Sequence, residues 1–257
     1  MPGPDELVPG APAWVDLSTT DVEAASAFYT TLFGWEADDV VDERFGGYRV
    51  FRLGGKRIGG VGLRMDEDTS APHWTVFLLT FNAATTDELI AEAGGTVLFE
   101  PMVVPTRGVL GMAIDATGAV VGYWQPGVVE GFDVFGEVGS AVWFELGASD
   151  FDAAERFYAH AFDWTVERND DEPRTAVFVR GGRDFAGIID AAGMLGADDL
   201  PTWSVAFGVA DVDDAVERAV AAGATLVRPA WDLPTGRRAG LVDPTGAYFL
   251  VASDAER

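Results

Sequence analysis

The stretch Trp14-Val15-Asp16-Leu17-Ser18-Thr19-Thr20-Asp21 runs into an alanine-rich segment carrying Phe28-Tyr29 and closes on Phe33-Gly34-Trp35. Its reading decides the fold because the chain writes it twice. Trp143-Phe144-Glu145-Leu146-Gly147-Ala148-Ser149-Asp150 again precedes Phe157-Tyr158 and Phe162-Asp163-Trp164, 129 residues further along a chain of 257. A period of half the length marks a duplicated unit, and the length divides into two ordinary domains.

Within the first copy, residues 14–17 alternate as a strand, with Val15 and Leu17 on one side and Trp14 and Asp16 on the other. Thr20 or Asp21 supplies an N-cap. Val22, Ala25, Phe28, Tyr29, Leu32 and Phe33 recur at helical spacing, so a helix runs to Gly34. Residues 48–53 and 57–63 are short β-type runs parted by Gly54-Gly55, as in a hairpin.

The pattern then restarts. A strand spans 74–80, and a helix over 86–92 ends at Gly94-Gly95. Strands follow over 97–99, 110–114 and 119–124, with a turn at Asp115-Ala116-Thr117-Gly118. Each half therefore reads as two βαβββ modules. In the second half Trp203 answers Trp74, and Asp243-Pro244-Thr245-Gly246 answers the earlier turn. The expected organisation is a flexible lead over 1–10, a first domain over 11–125, a linker over 126–138, a second domain over 139–252 and a tail over 253–257.

Composition narrows the function. Seventeen basic residues stand against 42 acidic ones, a formal charge of −25, and Lys56 is the sole lysine. Such a field repels phosphate backbones and anionic lipid surfaces, so neither nucleic acid nor a membrane is an expected partner. There is no cysteine, which removes disulfides, thiolate nucleophiles and thiolate-held zinc. No apolar run reaches spanning length, and the expectation is a chain without a signal peptide and with a cytoplasmic location.

The repeated strand, Asp21 and Asp150, the Phe-Tyr pairs, the Gly-Trp and Asp-Trp that follow them and the Asp-x-Thr-Gly turns resemble the vicinal oxygen chelate superfamily. That superfamily includes glyoxalase I, bleomycin-resistance proteins and extradiol dioxygenases. The resemblance extends from about residue 11 to residue 252. It implies an α+β fold of two tandem glyoxalase-like domains, each of two βαβββ modules whose sheets curl around a concave site.

In the metal-dependent members a histidine stands seven residues before the residue that leads the helix, and a glutamate stands on the last strand. The matching positions here are Trp14, Thr75, Trp143 and Ser204 for the histidine, and Gly122 and Leu250 for the glutamate. None is a credible ligand for a divalent cation. The two histidines, His73 and His160, lie off that register and read as surface or internally satisfied residues. No cofactor is expected.

Strand alternation and the resemblance together turn Trp14, Asp16, Thr75, Phe77 and Trp124 of the first half toward the cavity. In the second half they turn Trp143, Glu145, Ser204, Ala206, Tyr248 and Leu250 the same way. An aromatic cavity with one carboxylate per half suits a small-molecule pocket. Asp16 and Glu145 read either as hydrogen-bonded structural carboxylates or as general bases with pKa values raised by apolar walls. Arg107, Arg237 and Arg238 read either as solvated or paired arginines or as contacts for an anionic substrate at the cavity mouth.

The expected function is a metal-free, bleomycin-resistance-like protein that binds a small molecule, as a monomer or homodimer. The alternative is a lyase of the glyoxalase type, or a dioxygenase-type enzyme, acting on a small carbonyl or aromatic compound.

Overall fold

Alternation along the first strand, β1 (Pro12–Thr19), buries Val15 and Leu17 and leaves Trp14 and Asp16 half-buried on the opposite face. The computed structural model describes residues 7–38, 47–64, 70–196 and 200–254. The helix α1 (Val22–Phe33) starts where the Asp21 side chain accepts the Ala24 amide at 2.9 Å. It stops at Gly34, whose φ of 74° lies in the left-handed region that a glycine enters without steric cost.

The first module is completed by β2 (Glu36–Ala37), β3 (Arg49–Leu53) and β4 (Lys56–Leu63). The second comprises β5 (His73–Leu79), α2 (Ala83–Glu92), β6 (Thr96–Val97), β7 (Met102–Val104), β8 (Gly108–Ile114) and β9 (Val120–Pro126). The third holds β10 (Ala141–Ala148), α3 (Phe151–Phe162), β11 (Val166–Asn169), β12 (Thr175–Arg180) and β13 (Arg183–Asp190). The fourth holds β14 (Thr202–Gly208), α4 (Val212–Ala221), β15 (Thr225–Leu233), β16 (Gly236–Val242) and β17 (Tyr248–Asp254).

Hydrogen bonding joins the described strands into one sheet per half, in the order β2-β3-β4-β1-β5-β9-β8-β6 with β7 beside β8, and β11-β12-β13-β10-β14-β17-β16-β15. In every module the first and last strands run parallel, as with β1 on β4 and β14 on β17, and the intervening pairs are antiparallel. This is the mixed α+β architecture of two tandem glyoxalase-like repeats that the sequence predicts.

Compact packing divides the chain along other lines. One unit holds Met1–Trp14, Thr75–Gly131 and Phe144–Ser204. The other holds Val15–Trp74, Phe132–Trp143 and Val205–Arg257. In the second unit the fully buried Tyr29 is the hub. Its ring meets Trp74 edge-on at 5.4 Å and Phe249 at 5.6 Å, and each such pair contributes about 0.5–1.5 kcal/mol beyond the area it buries. In the first unit Tyr158 does the same, edge-on to Trp203 at 5.5 Å and 4.9 Å from Trp164.

Several local expectations shift. The second helix begins at Ala83, earlier than predicted, because Asn82 caps it by accepting the Thr85 amide at 3.1 Å. The short strands β2, β7 and β11 go beyond the predicted set. The expected lead over 1–10 falls partly on residues 1–6, outside the described residues. Its last residue, Gly10, is already tied down: its amide donates to the Leu79 carbonyl at 2.8 Å, and its carbonyl accepts the Trp164 indole N–H at 2.8 Å.

After Pro126 the expected linker carries no helix or strand, yet Asp133 holds Arg57 through Oδ1 at 2.6 Å. Of the expected tail, residues 253–254 belong to β17 and 255–257 lie outside the described residues.

Candidate ligand-binding site

The chemistry gathers on the sheet faces turned away from the helices. In the unit that holds the fourth module, Ala206 of β14 pairs with Leu250 of β17, Leu250 with Gly240 of β16, and Ala252 with Arg238. Beyond them, Arg238 pairs with Trp231 and Gly240 with Arg228 on β15. Because side chains alternate, these residues and Tyr248 share one face, while Phe249 and Val251 go to the helix side.

Ala206, Leu250 and Ala252 form a buried floor against which Val142, Trp143, Trp231 and Tyr248 pack. Gly240 makes this possible: a Cβ there would stand 2.7 Å from Tyr248 Oη and 3.0 Å from Arg228 Cβ.

Two cations border this aromatic floor. The Arg228 guanidinium sits 3.7 Å from the centre of the Trp231 ring, and that of Arg238 lies 5.9 Å from the Trp143 ring. The Trp143 Nε1–H is buried with no acceptor among the described residues. An unmade bond of that kind costs about 1–3 kcal/mol and is recovered when an acceptor arrives. Such a surface is suited to a flat, electron-rich or anionic group.

Asp16 sits beside Tyr48, whose hydroxyl donates to Asp16 Oδ1 at 2.6 Å. The Tyr48 ring crosses β4 where Gly60 leaves room for it: a Cβ at Gly60 would overlap the tyrosine and come within 2.6 Å of Asp16 Oδ1. In the unit that holds the second module, Phe77 of β5 pairs with Gly122 of β9 and its ring covers that glycine. Trp124 lies over Gly108 in the same manner and donates its Nε1–H to the Val129 carbonyl at 2.9 Å. Thr75, Phe77 and Trp124 are all buried.

Of the eleven residues that the sequence reading turns toward the cavity, the structure brings Trp143, Ala206, Tyr248 and Leu250 into one cluster, and Thr75, Phe77 and Trp124 onto neighbouring buried strands. Glu145 and Ser204 are half-buried on β10 and β14, Asp16 is joined to Tyr48, and Trp14 is half-buried on β1. Tyr48, Arg228 and Trp231 were not singled out. Tyr48 had no local signal, whereas the Arg228–Trp231 spacing on an edge strand was readable. Of the arginines expected at a cavity mouth, Arg238 joins the cluster. Arg237 is instead paired with Asp232 at 2.8 Å and Asp213 at 3.1 Å, and Arg107 is exposed.

The residues do not fit the family's divalent metal. Its ligand register holds two indoles, two hydroxyls, a glycine and a leucine, and among the described residues no group of three or more His, Asp or Glu is placed to hold a metal ion. His73 Nδ1 lies 2.9 Å from the Ala71 carbonyl, and His160 Nε2 lies 3.1 Å from Glu92 Oε2. No helix among the described residues is long and apolar enough to cross a membrane.

Comparison with known proteins agrees with the repeated fold. Residues 11–121 and 140–251 each match the model of the Glyoxalase/Bleomycin resistance protein/Dioxygenase superfamily. The anthracycline biosynthesis protein DnrV of Streptomyces peucetius is 37% identical over 95% of this chain and 94% of its own length. CFP32 of Mycobacterium tuberculosis, whose name provisionally makes it a glyoxylase, is 30% identical over 99% of both chains. Among solved structures, the Mn(II)-bound glyoxalase from Novosphingobium aromaticivorans superposes with a TM-score of 0.65 at 16% identity, covering 96% of this chain and 83% of that one, a likeness of fold. The chain belongs to the Glyoxalase/Bleomycin resistance protein/Dioxygenase superfamily.

Proposed function

We propose that this protein binds a small, planar, partly aromatic molecule and does so without a divalent metal. The observation that carries the reading is the set of helix-free faces lined by Trp143, Trp231, Tyr248, Phe77 and Trp124, with no credible ligand at the six metal-register positions. Apolar rings with a few polar groups are the usual makeup of a pocket for such a ligand. The relative named for anthracycline biosynthesis points to polycyclic aromatic compounds.

Titration of the metal-stripped protein into an anthracycline, followed by the ligand's own fluorescence, tests the reading. Saturable quenching is expected. A linear, unsaturated response up to the solubility limit would overturn it.

The second reading is an enzyme run by carboxylates. It is favoured by the bond between Tyr48 and Asp16, which would hold a base in one orientation for proton abstraction next to a carbonyl. Turnover lost in Asp16→Asn and Glu145→Gln, with ligand binding intact, would support that reading over simple sequestration.

A further inference from the structure

We propose that the two halves have divided their labour. On this view the ligand lies on the helix-free face of the fourth module, and the site selects planar aromatic compounds that carry an anionic oxygen. The inference rests on the small-molecule reading above and adds the place and the charge of the ligand.

The argument is a comparison of equivalent positions. The floor of the second module is filled by its own rings: Phe77 lies over Gly122 and is 2% exposed, and Trp124 lies over Gly108 and is 8% exposed with its indole N–H already bonded. In the fourth module the residue equivalent to Phe77 is Ala206, and the one equivalent to Trp124 is Ala252. Two large fillers are therefore reduced to methyl groups, and the half-buried rings of Trp143, Trp231 and Tyr248 pack over that floor in their place. Leu250 replaces Gly122, so the floor stays apolar.

The charge changes as well. Leu110, which pairs with Trp124 on β8, corresponds to Arg238, which pairs with Ala252. Arg228 adds a second cation, and it forms no ion pair among the described residues, its guanidinium lying instead on the Trp231 ring. In a chain of formal charge −25, the Arg228 guanidinium on this aromatic face singles out a spot where an anion is attracted. Trp143 supplies the remaining element, a buried indole N–H with no acceptor among the described residues. A flat ring packed on Trp143 and Tyr248, with an oxygen toward Nε1 and Arg228, answers each of these features.

The test is isothermal titration of the full-length, metal-stripped protein with anthraquinone-2-sulfonate and its neutral counterpart 2-(hydroxymethyl)anthraquinone. The expected result is one sulfonate per chain, bound at least about tenfold more tightly than the neutral compound. Trp143→Phe keeps a ring and loses the donor, and Arg228→Gln loses the charge. Each should weaken the sulfonate about tenfold, and Arg228→Gln should leave the neutral compound unchanged. Ala206→Phe restores the filler of the other half and should abolish binding of both compounds, with folding checked by circular dichroism.

Two sulfonates per chain, equal affinity for the two compounds, or unchanged affinity in both Trp143→Phe and Arg228→Gln would overturn the proposal while leaving the small-molecule reading in place. No binding of either compound would remove both.

Discussion

Tyr29 of the first module donates its hydroxyl to Oδ2 of Asp243 in the fourth, 3.0 Å away, and accepts the Trp74 indole N–H at 3.0 Å. The same arrangement recurs with Tyr158, which donates to Asp115 Oδ2 at 2.9 Å and accepts from Trp203 at 2.8 Å. Each aspartate uses its other oxygen to hold its own turn, Asp243 through Thr245, Gly246 and Ala247, and Asp115 through Thr117 and Ala119. The Phe-Tyr pair and the Asp-x-Thr-Gly turn, far apart in sequence, are two ends of one buried relay. It joins the first module to the fourth and the second to the third.

Removing the relay's centre should be costly. Tyr29→Phe leaves a buried carboxylate oxygen and an indole N–H without that partner, so a loss of about 1–3 kcal/mol is expected in urea unfolding. Tyr158→Phe should cost a similar amount. A loss below about 0.5 kcal/mol in either would show that the relay contributes little.

Burial, then the neighbouring aspartate charge, pushes the hydroxyls of Tyr29 and Tyr158 well above the ordinary tyrosine range. A group whose folded pKa is raised contributes stability that is present below its unfolded pKa, about 10, and is lost as pH rises beyond it. Unfolding free energy should therefore fall above about pH 10, less steeply in the double variant Tyr29→Phe/Tyr158→Phe. Identical slopes in the two proteins would contradict this.

Asp133 shows the opposite sign. Hydrogen bonds from Arg57 hold its carboxyl below the usual carboxylate range. Its stabilisation is present above about pH 4 and is lost as pH falls through the depressed value. The pair is partly exposed, so Asp133→Asn should cost no more than about 1 kcal/mol at pH 7, and the difference from wild type should shrink toward pH 3. A difference that stayed constant with pH would assign the cost to packing.

Gly60→Ala tests the Asp16–Tyr48 pair. The added methyl expels the Tyr48 ring from β4 and breaks its bond to Asp16, which should cost about 1–3 kcal/mol, more than Tyr48→Phe. Equal thermal shifts in the two variants would mean that the ring is not held against the glycine.

Much of the fold was legible because periodicity and caps are local. Val15 against Trp14 and Asp150 at a helix start are statements about neighbours, and the structure keeps them. The same period of two put Trp143 and Glu145 on one face of their strand, and only the resemblance gave that face a direction.

What escaped depends on residues distant in sequence. Tyr48, beside β3, meets Asp16 only because β4 pairs with both β3 and β1, and the relay from Tyr29 to Asp243 spans most of the chain. The strand β2, two residues long, is too short to carry a period. The unsatisfied Trp143 N–H is a matter of what lies around an atom, which composition and spacing do not encode.

The most direct test of the metal-free aromatic site is the Trp143 indole N–H resonance in a 15N–1H correlation spectrum of the metal-stripped protein, assigned by its loss in Trp143→Phe. On addition of anthraquinone-2-sulfonate that resonance should move downfield to a saturating value, as a buried donor gains its acceptor. A resonance that stays in place while the ligand binds, or that moves only after Mn(II) or Zn(II) is supplied, would contradict the account.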